Sequence, residues 1–317
     1  GFAESHCRSV LSSLYRPERL QRSLDRSFLP NALLALLAAE EENYLTIALT
    51  KQSVDDQSIK ILYRLTDGQK IESVLMPERG RLTLCISSQV GCQRACSFCD
   101  TGRMGLTRNL TVFELISQVH SANRFLLSQP EWLKSCSLSP DSKITNIVFM
   151  GMGEPMLNFD AVACALSIMR DEHGYELPRR RVTVSTSGLV PAIDRLAQEC
   201  DVSLALSLHA PTDELRDELV PINRKYPLKE LLAACKRYVS ANKRYFITME
   251  YVMLKGVNDS LPHAKKLAAL LRDVPCKINL IPFNAFSGAR YTRSTFEDMM
   301  AFTAILKKAG YITTLRK

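Results

Sequence analysis

The sequence predicts an α/β fold, a partial (βα)6 barrel with a small N-terminal helical accessory domain and a β-hairpin extension. Two observations predict it. From residue 82 onward, short β-rich runs alternate with helical stretches of about ten residues, which is typical of a parallel sheet. Polar motifs follow the ends of these runs, where active-site groups gather in such folds.

The N-terminal accessory domain is predicted over residues 1–79. Helices and one strand are expected there at residues 7–15, 16–27, 29–41 and 44–48. The turn Asp67-Gly68 separates two further strand patterns, at residues 59–65 and 71–76. Such a turn between two β-rich runs predicts a hairpin.

The barrel core is predicted over residues 80–317. Strands are expected at residues 82–87, 144–150, 181–185, 202–207, 246–253 and 277–281, with a last strand at 312–315. Helices are expected at residues 112–127, 159–171, 190–198, 228–241, 263–271 and 296–309. Helices that follow strands in this order lie outside a partial barrel.

Composition bounds the cellular context. The chain has 317 residues, of which 46% are hydrophobic, enough for a large core in one big domain with an appendage. Its ten cysteines are spread along the chain, which favours a reducing cytoplasm over a disulfide framework. The longest apolar stretch, residues 29–39, is interrupted and far shorter than the roughly 20 residues of a membrane helix. No secretory signal is recognisable, and no membrane attachment is expected.

The formal net charge of +8 and the sequence pI near 9.0 favour a polyanionic partner such as a nucleic acid, although a basic protein without such a partner fits equally. Arginines beside the expected mouth of the site are candidates to contact phosphates: Arg103, Arg108, Arg179, Arg180 and Arg181. The last three are equally compatible with a solvated run. Trp132 falls in a loop-like insert, residues 128–142.

The run GCQRACSFCD places Cys92, Cys96 and Cys99 in a Cys-x3-Cys-x2-Cys motif. Iron–sulfur clusters normally take four thiolates, so three predict a cluster whose fourth iron binds something other than protein. A zinc site or a chance group of buried cysteines is the alternative. Structural zinc usually needs a second Cys or His pair, and the sequence has no other Cys-x2-Cys and no His-x3-His.

The sequence GMGEP, residues 151–155, directly follows the predicted strand ITNIVFM. Gly153 permits close backbone approach to a ligand, and Glu154 supplies a carboxylate that can accept from an ammonium group, such as that of an amino acid. A glycine-rich turn alone is weak evidence. Its place at a strand end strengthens the interpretation.

Other polar groups stand at the ends of later strands. The candidates to bind a ribose, a carboxylate or a heterocycle are Ser185, Thr186, Ser187, Ser207, His209 and Asn284. For the hydroxyl groups and the amide, turn capping is the alternative. His209 is as compatible with a buried, hydrogen-bonded core histidine as with a ligand contact.

Together these motifs resemble the RlmN and Cfr family of radical S-adenosylmethionine (SAM) methyltransferases. The resemblance covers residues 59–317 and rests on GCQRACSFCDTGRMGLTRNL, VFMGMGEPMLN, RRVTVSTSG, LALSLHAPTDELRDELVPINRKY, MEYVMLKGVND and CKINLIPFN. It implies a radical SAM barrel that methylates adenine in RNA. One branch modifies carbon 2 in 23S rRNA and in tRNA, and the other modifies carbon 8 of the rRNA adenine. Pro155 and Ser187 resemble the carbon-2 branch more.

The resemblance also implies roles for individual residues. Cys92, Cys96 and Cys99 would hold one [4Fe-4S] cluster, and SAM would bind its open iron. SAM itself would be held by Gly153, Glu154, Ser185, Ser207, Leu208, His209 and Asn284. Glu72, in KIESVLMP, matches a proton acceptor, and Cys85, in LCISSQ, matches a reactive cysteine. From the pattern alone, Glu72 is a solvated strand residue and Cys85 a buried strand cysteine.

In this family, one SAM methylates a C-terminal cysteine and a second gives the 5′-deoxyadenosyl radical that activates the methyl group for addition to adenine. The covalent adduct is then resolved by a disulfide, for which Cys85 is the matching thiol. No cysteine follows Cys276 in the sequence, which ends at Lys317. We expect a longer chain that carries the methyl-accepting cysteine, rather than a non-catalytic RNA-binding homologue.

The resemblance implies 23S rRNA and tRNA as partners, from which the target adenine is extruded to reach the site. An electron donor such as a flavodoxin or ferredoxin-type reductant would supply electrons to the cluster. A cytoplasmic monomer without membrane contact is expected.

Overall fold

The computed structural model describes residues 45–78, 80–241 and 246–316. The helices predicted at residues 7–15, 16–27 and 29–41 lie outside the described residues and stay predictions. No helix within the described ranges is both long and apolar enough to span a membrane.

The strands of the described ranges occupy nearly all of the predicted positions. They are β1 (Thr46–Gln52), β2 (Ile59–Arg64), β3 (Lys70–Glu78), β4 (Arg81–Cys85), β5 (Gln89–Cys92), β6 (Gly105–Asn109), β7 (Asn146–Phe149), β8 (Val182–Thr186), β9 (Ser203–Ser207), β10 (Ile247–Met253), β11 (Cys276–Pro282) and β12 (Thr313–Leu315). The short pair β5 and β6 was not predicted.

The α-helices of the same described ranges are α1 (Asp100–Arg103), α2 (Val112–Leu127), α3 (Pro130–Ser135), α4 (Phe159–Arg170), α5 (Val190–Glu199), α6 (Asp213–Leu219), α7 (Leu228–Ala241), α8 (Leu261–Leu270) and α9 (Phe296–Lys308). Short 3-10 turns occupy Pro155–Asn158, Arg179–Arg181 and Pro221–Arg224. Along the chain, β4 and β7 to β11 alternate with helices, which is the order of a partial (βα)6 barrel. The predicted α/β class is therefore confirmed.

Helix starts follow the capping rules that the sequence contains. The Thr111 hydroxyl accepts from the backbone N–H of Glu114, and the Glu114 carboxylate accepts from the backbone N–H of Thr111, a capping box that begins α2. Ser260 and Thr295 cap α8 and α9, where their hydroxyl oxygens accept from the backbone N–H groups of His263 and Asp298. These contacts satisfy backbone donors that a helix leaves unpaired, and so set where each helix begins.

One compact part of the chain comprises its described residues up to 90, together with residues 109–152 and 160–182. Strands β1 to β4 pair antiparallel in order, and β4 pairs parallel with β7. The predicted hairpin is β2–β3, where Leu65 N donates to Gln69 O at 2.8 Å. Gly68 in its turn has a φ of 83°, a backbone conformation that favours glycine.

The second compact part comprises residues 91–108, 153–159 and the described residues from 183 onward. Within it, β8 to β12 pair parallel in chain order. Because parallel neighbours run in one direction, their carboxyl ends meet at the same edge of the sheet. The predicted domain boundary near residue 79 stays a prediction.

Trp132 corrects one expectation. The predicted loop-like insert contains helix α3, with Trp132 on its buried side at 6% exposure. The indole Nε1 donates to the backbone oxygen of Gln57 at 3.0 Å. Pro130 at the first turn and a buried aromatic anchor stabilise this short helix, although its sequence has little periodicity.

Candidate active site

The three cysteines of the Cys-x3-Cys-x2-Cys motif belong to a sharply bent loop. Cys92 is the last residue of β5, and the chain returns through α1 to β6, which pairs with β5. A Cβ atom at Gly91 would meet the carbonyl oxygen of Gly105 at 2.0 Å, so this close approach of two backbones requires glycine. Inside the loop, Cys99 N donates to Cys96 O at 3.0 Å.

The environment of this loop opposes free thiolates. Burial, followed by the nearness of Cys99 and Cys92, raises the pKa of the Cys96 thiol to about 12. Burial also raises the pKa of Cys92. Iron binds cysteine as the thiolate, so cluster binding here must release the thiol protons. The positive charge of the iron must then stabilise the thiolates in this buried site.

Arg94 lies between the first two cysteines and fits an anionic cluster. Its backbone N donates to the Cys92 sulfur at 3.5 Å, and hydrogen bonds to ligand sulfurs are among the contacts that adjust cluster potentials. Its side-chain Nε is buried and has no hydrogen-bond partner among the described residues. Three thiols beside such donors suit a [4Fe-4S] cluster. In the part of the chain that the structure describes, no group of three or more His, Cys, Asp or Glu side chains is placed so that it could hold a single metal ion.

His209 packs against the loop that carries the three cysteines, residues 92–99, which we call the cluster loop. Its ring lies edge-on to Phe98 at 4.6 Å between centroids, and its Nδ1 accepts from the backbone N of Val252 at 3.0 Å. The residue has a φ of 59°, and its backbone oxygen accepts from Asn258 Nδ2 at 2.9 Å. Burial, followed by the charge of Arg216, lowers the pKa of His209 to about 3. The imidazole is therefore neutral, with Nε2–H as its donor.

We expect His209→Asn to make the free energy of unfolding of the cluster-free protein depend less on pH below about 6.5. The pKa of His209 is depressed from 6.5 to about 3, so its stabilising contribution is present above pH 6.5 and is lost as the pH falls. This loss amounts to about 1.4 kcal/mol per pH unit for one proton. Asparagine tolerates the positive φ and its oxygen can replace Nδ1 as acceptor.

Urea unfolding at pH 7, 6 and 5 measures the effect. The wild-type free energy of unfolding should fall more steeply with acid than that of the variant. Identical slopes would show that His209 does not titrate as a buried neutral group.

Glu154 joins the loop after β7 to the end of β8. Its Oε2 accepts from both the backbone N and the hydroxyl of Ser187, each at 2.7 Å, and its Oε1 accepts from Met156 N at 3.2 Å. The side chain is buried, and burial raises the pKa of its carboxyl group. The carboxylate thus connects the loop after β7 to the residue that follows β8. Its predicted contact with an ammonium group of SAM stays a prediction.

The other predicted SAM-binding residues lie at strand ends, as expected. Ser185 is buried on β8, and Ser207 is the half-buried last residue of β9. Leu208 is fully buried, and its N donates to Glu250 O on β10 at 3.0 Å. Gly153 has a φ of 98°, and Asn284 is exposed two residues after β11. Carboxyl ends of parallel strands are where such folds bind ligands.

Two buried polar residues were missed by the sequence analysis. Asn258, in MLKGVND, donates to the backbone oxygens of His209 and Val252 and accepts from Leu254 N. Arg216, in TDELRDELV, is fully buried and donates to strand-end carbonyl groups. The available signal was its spacing: Arg216 precedes Leu219 and Val220 by three and four residues, which places it on the apolar face of α6.

Glu72 and Cys85 lie on adjacent antiparallel strands. In the register of β3 and β4, Cys85 is opposite Val74, so Glu72 lies two residues further along the same face. Glu72 is half-exposed and its Oε2 is 2.9 Å from Lys60 Nζ. Cys85 is 8% exposed at the end of β4. The structure therefore brings the two predicted catalytic residues to one face, and their roles stay predictions.

Two of the candidate phosphate-binding arginines, Arg103 and Arg181, donate hydrogen bonds within the protein. Arg103 Nη1 donates to the backbone oxygen of Ser287 at 3.0 Å, and Arg181 Nη1 donates to Asn146 Oδ1 at 2.8 Å. Arg179 and Arg180 are exposed.

None of the cysteines between residues 85 and 276 forms a disulfide.

The site and fold are those of a known superfamily. The sequence profile of the radical SAM superfamily matches residues 86–268, and the chain belongs to this superfamily. It is a radical SAM enzyme, and its cofactors are those of the superfamily, a [4Fe-4S] cluster and SAM.

Solved structures resemble the chain to different degrees. A radical SAM methyltransferase from Sphaerobacter thermophilus is 45% identical, with a TM-score of 0.86 over 98% of this chain and 88% of that chain. More distant is Streptococcus suis SuiB bound to SAM, at 15% identity and a TM-score of 0.47 over 74% and 47% of the two chains. A domain of pyruvate-formate lyase-activating enzyme from Bacteroides vulgatus is 18% identical, with a TM-score of 0.41 over 54% and 99%.

Proposed function

We propose that this protein is a methyltransferase that methylates carbon 2 of adenine in 23S rRNA and in tRNA. The observation that carries the proposal is the 45% identity, over 98% of the chain, to the Sphaerobacter radical SAM methyltransferase. That similarity supports methyl transfer. The RNA target rests on the motifs that resemble the RlmN and Cfr family and on the net charge of +8, which suits a polyanionic substrate.

The placement of Glu72 and Cys85 supports a reaction that uses a base and a thiol together. They share one face of β3 and β4, as a proton acceptor and a thiol that act on one adduct would require. When bound, the cluster and SAM supply the 5′-deoxyadenosyl radical that activates the methyl group. Glu72 accepts the proton lost from adenine, and Cys85 forms a disulfide with the methyl-carrying cysteine.

Carbon 2 is preferred over carbon 8 because Pro155 and Ser187 resemble the carbon-2 branch. Both belong to the structure of the site. Pro155 begins the 3-10 turn after Glu154, and Ser187 donates twice to the Glu154 carboxylate. The proposal includes a flavodoxin or ferredoxin-type electron donor, and a cytoplasmic monomer as the active form.

The test uses the full-length gene product. The cluster-loaded protein is incubated anaerobically with a 23S rRNA fragment or tRNA, SAM and a reductant, and the RNA is digested for mass spectrometry. We expect 2-methyladenosine, and none when the reductant is omitted.

Other outcomes distinguish the alternatives. Formation of 8-methyladenosine would replace the carbon-2 assignment with carbon 8. A protein that binds RNA and cleaves SAM without methylating either RNA would be a non-catalytic homologue, and the proposal would be wrong.

A further inference from the structure

Arg216 on α6 is a buried charge, and its hydrogen-bond partners among the described residues are all neutral. It has no exposed surface. Its guanidinium donates to three backbone oxygens and one amide oxygen: Leu208 O from Nε at 3.0 Å, Ser187 O and Ser207 O from Nη2 at 2.6 and 3.1 Å, and Asn223 Oδ1 from Nη1 at 2.9 Å. Burying a cation costs free energy unless its charge is offset, so the absence of a direct carboxylate partner within residues 45–78, 80–241 and 246–316 calls for an anion elsewhere.

The three backbone oxygens belong to the ends of two neighbouring strands. Ser187 directly follows β8, Ser207 is the last residue of β9, and Leu208 directly follows β9. Ser187 also donates to Glu154, so one guanidinium and one carboxylate together join the loop after β7, the end of β8 and the end of β9. A planar guanidinium fork fixes the directions of its acceptors, which a lysine ammonium does not.

The helix that carries Arg216 also contacts the cluster loop. Leu219 O, at the end of α6, accepts from Ser97 N at 3.1 Å. Leu215 and Cys96 pack against the same buried apolar group, which includes Leu219. The positive charge of Arg216 interacts favourably with a Cys96 thiolate. Asp213 and Asp217 are joined to Arg216 through Asn223, which donates to both carboxylates.

We propose that Arg216 is a positioning residue with two effects: its fork holds the ends of β8 and β9 in the geometry that binds SAM, and its buried charge raises the reduction potential of the cluster. A fixed positive charge in a buried site favours the more negative, reduced cluster. The inference rests on the radical SAM cofactors and not on the identity of the methyl acceptor.

The experiment compares Arg216→Gln, which removes the charge, with Arg216→Lys, which keeps the charge without the fork. Both full-length proteins are loaded with cluster anaerobically. We expect both to bind SAM at least about tenfold more weakly, because buried strand-end oxygens lose charged donors. Only the Gln variant should shift the one-electron reduction equilibrium, by about tenfold toward the oxidised cluster, or ~59 mV. Reductive titration followed by electron paramagnetic resonance measures the potential.

Arg224→Gln is the matched control, because Arg224 is exposed in the turn after α6 and the substitution changes the net charge equally. It should leave SAM affinity and potential at wild-type values.

Unchanged SAM affinity in either Arg216 variant would overturn the positioning role, and an unchanged potential in Arg216→Gln would overturn the charge role. If Arg216→Gln does not fold, the Lys variant decides: wild-type potential with weakened SAM binding supports the proposal, and a lowered potential or unchanged affinity contradicts it. Neither readout depends on RNA methylation, so failure of the proposed carbon-2 activity leaves this test intact.

Discussion

Cys96→Ala is expected to leave the protein without its cluster and without SAM cleavage. A cluster held by three thiolates loses an anchor with this substitution, and the two remaining thiols lie in a site where burial raises the pKa of Cys92 and opposes its ionisation. After anaerobic reconstitution, iron should fall from about four atoms per chain to near zero. Iron and sulfide counting, with absorption in the thiolate–iron bands, measures the loss.

Cys164→Ala provides the control for removal of a thiol. Cys164 is exposed on α4, and its substitution should leave iron content and absorption unchanged. The contrast separates loss of a ligand from a general effect of cysteine removal. Wild-type iron content in Cys96→Ala would contradict the ligand assignment of the whole motif, because the spacing of the three cysteines is the basis of that assignment.

Periodicity was sufficient for the strands and helices that face the core. Strand β10 is a mostly apolar run rich in β-branched and aromatic residues, and the long amphipathic helix α2 begins at its capping box, so both have strong local signals. Elements with weak local signals were missed. Strand β5 has four residues, and α6 has seven, mostly charged. Their formation depends on packing that no local pattern records.

For the site, sequence reasoning identified which residues follow strand ends and not how they contact one another. Glu154 was expected to face a ligand, and the structure has its carboxylate accept from Ser187 and Met156. The sequence does not predict Arg216 as a site residue, because arginine is rarely fully buried and its acceptors are backbone oxygens at the ends of two strands. Hydrogen bonds to backbone oxygens leave little trace in a sequence.

Cys85→Ala is expected to stop turnover and to leave the protein covalently attached to its RNA. In the proposed reaction the Cys85 thiolate attacks the sulfur of the thioether that joins protein and adenine. A disulfide forms, the carbon–sulfur bond breaks, and the carbon leaves with the electron pair and takes a proton to become the methyl group. Without that thiol the adduct has no route to product. Denaturing electrophoresis and intact-mass measurement would detect the protein–RNA species.

Cys276→Ala is the matched control because it also removes a thiol from a parallel strand, at the start of β11. Burial raises the pKa of Cys276 to about 12, which makes it a poor nucleophile at neutral pH. The variant should form product without accumulating adduct. Cys85 lies at the end of β4 on the face that carries Glu72. Loss of product in the Cys276 variant, or turnover without Cys85, would show that another thiol resolves the adduct. The shared face of β3 and β4 would then have a different role.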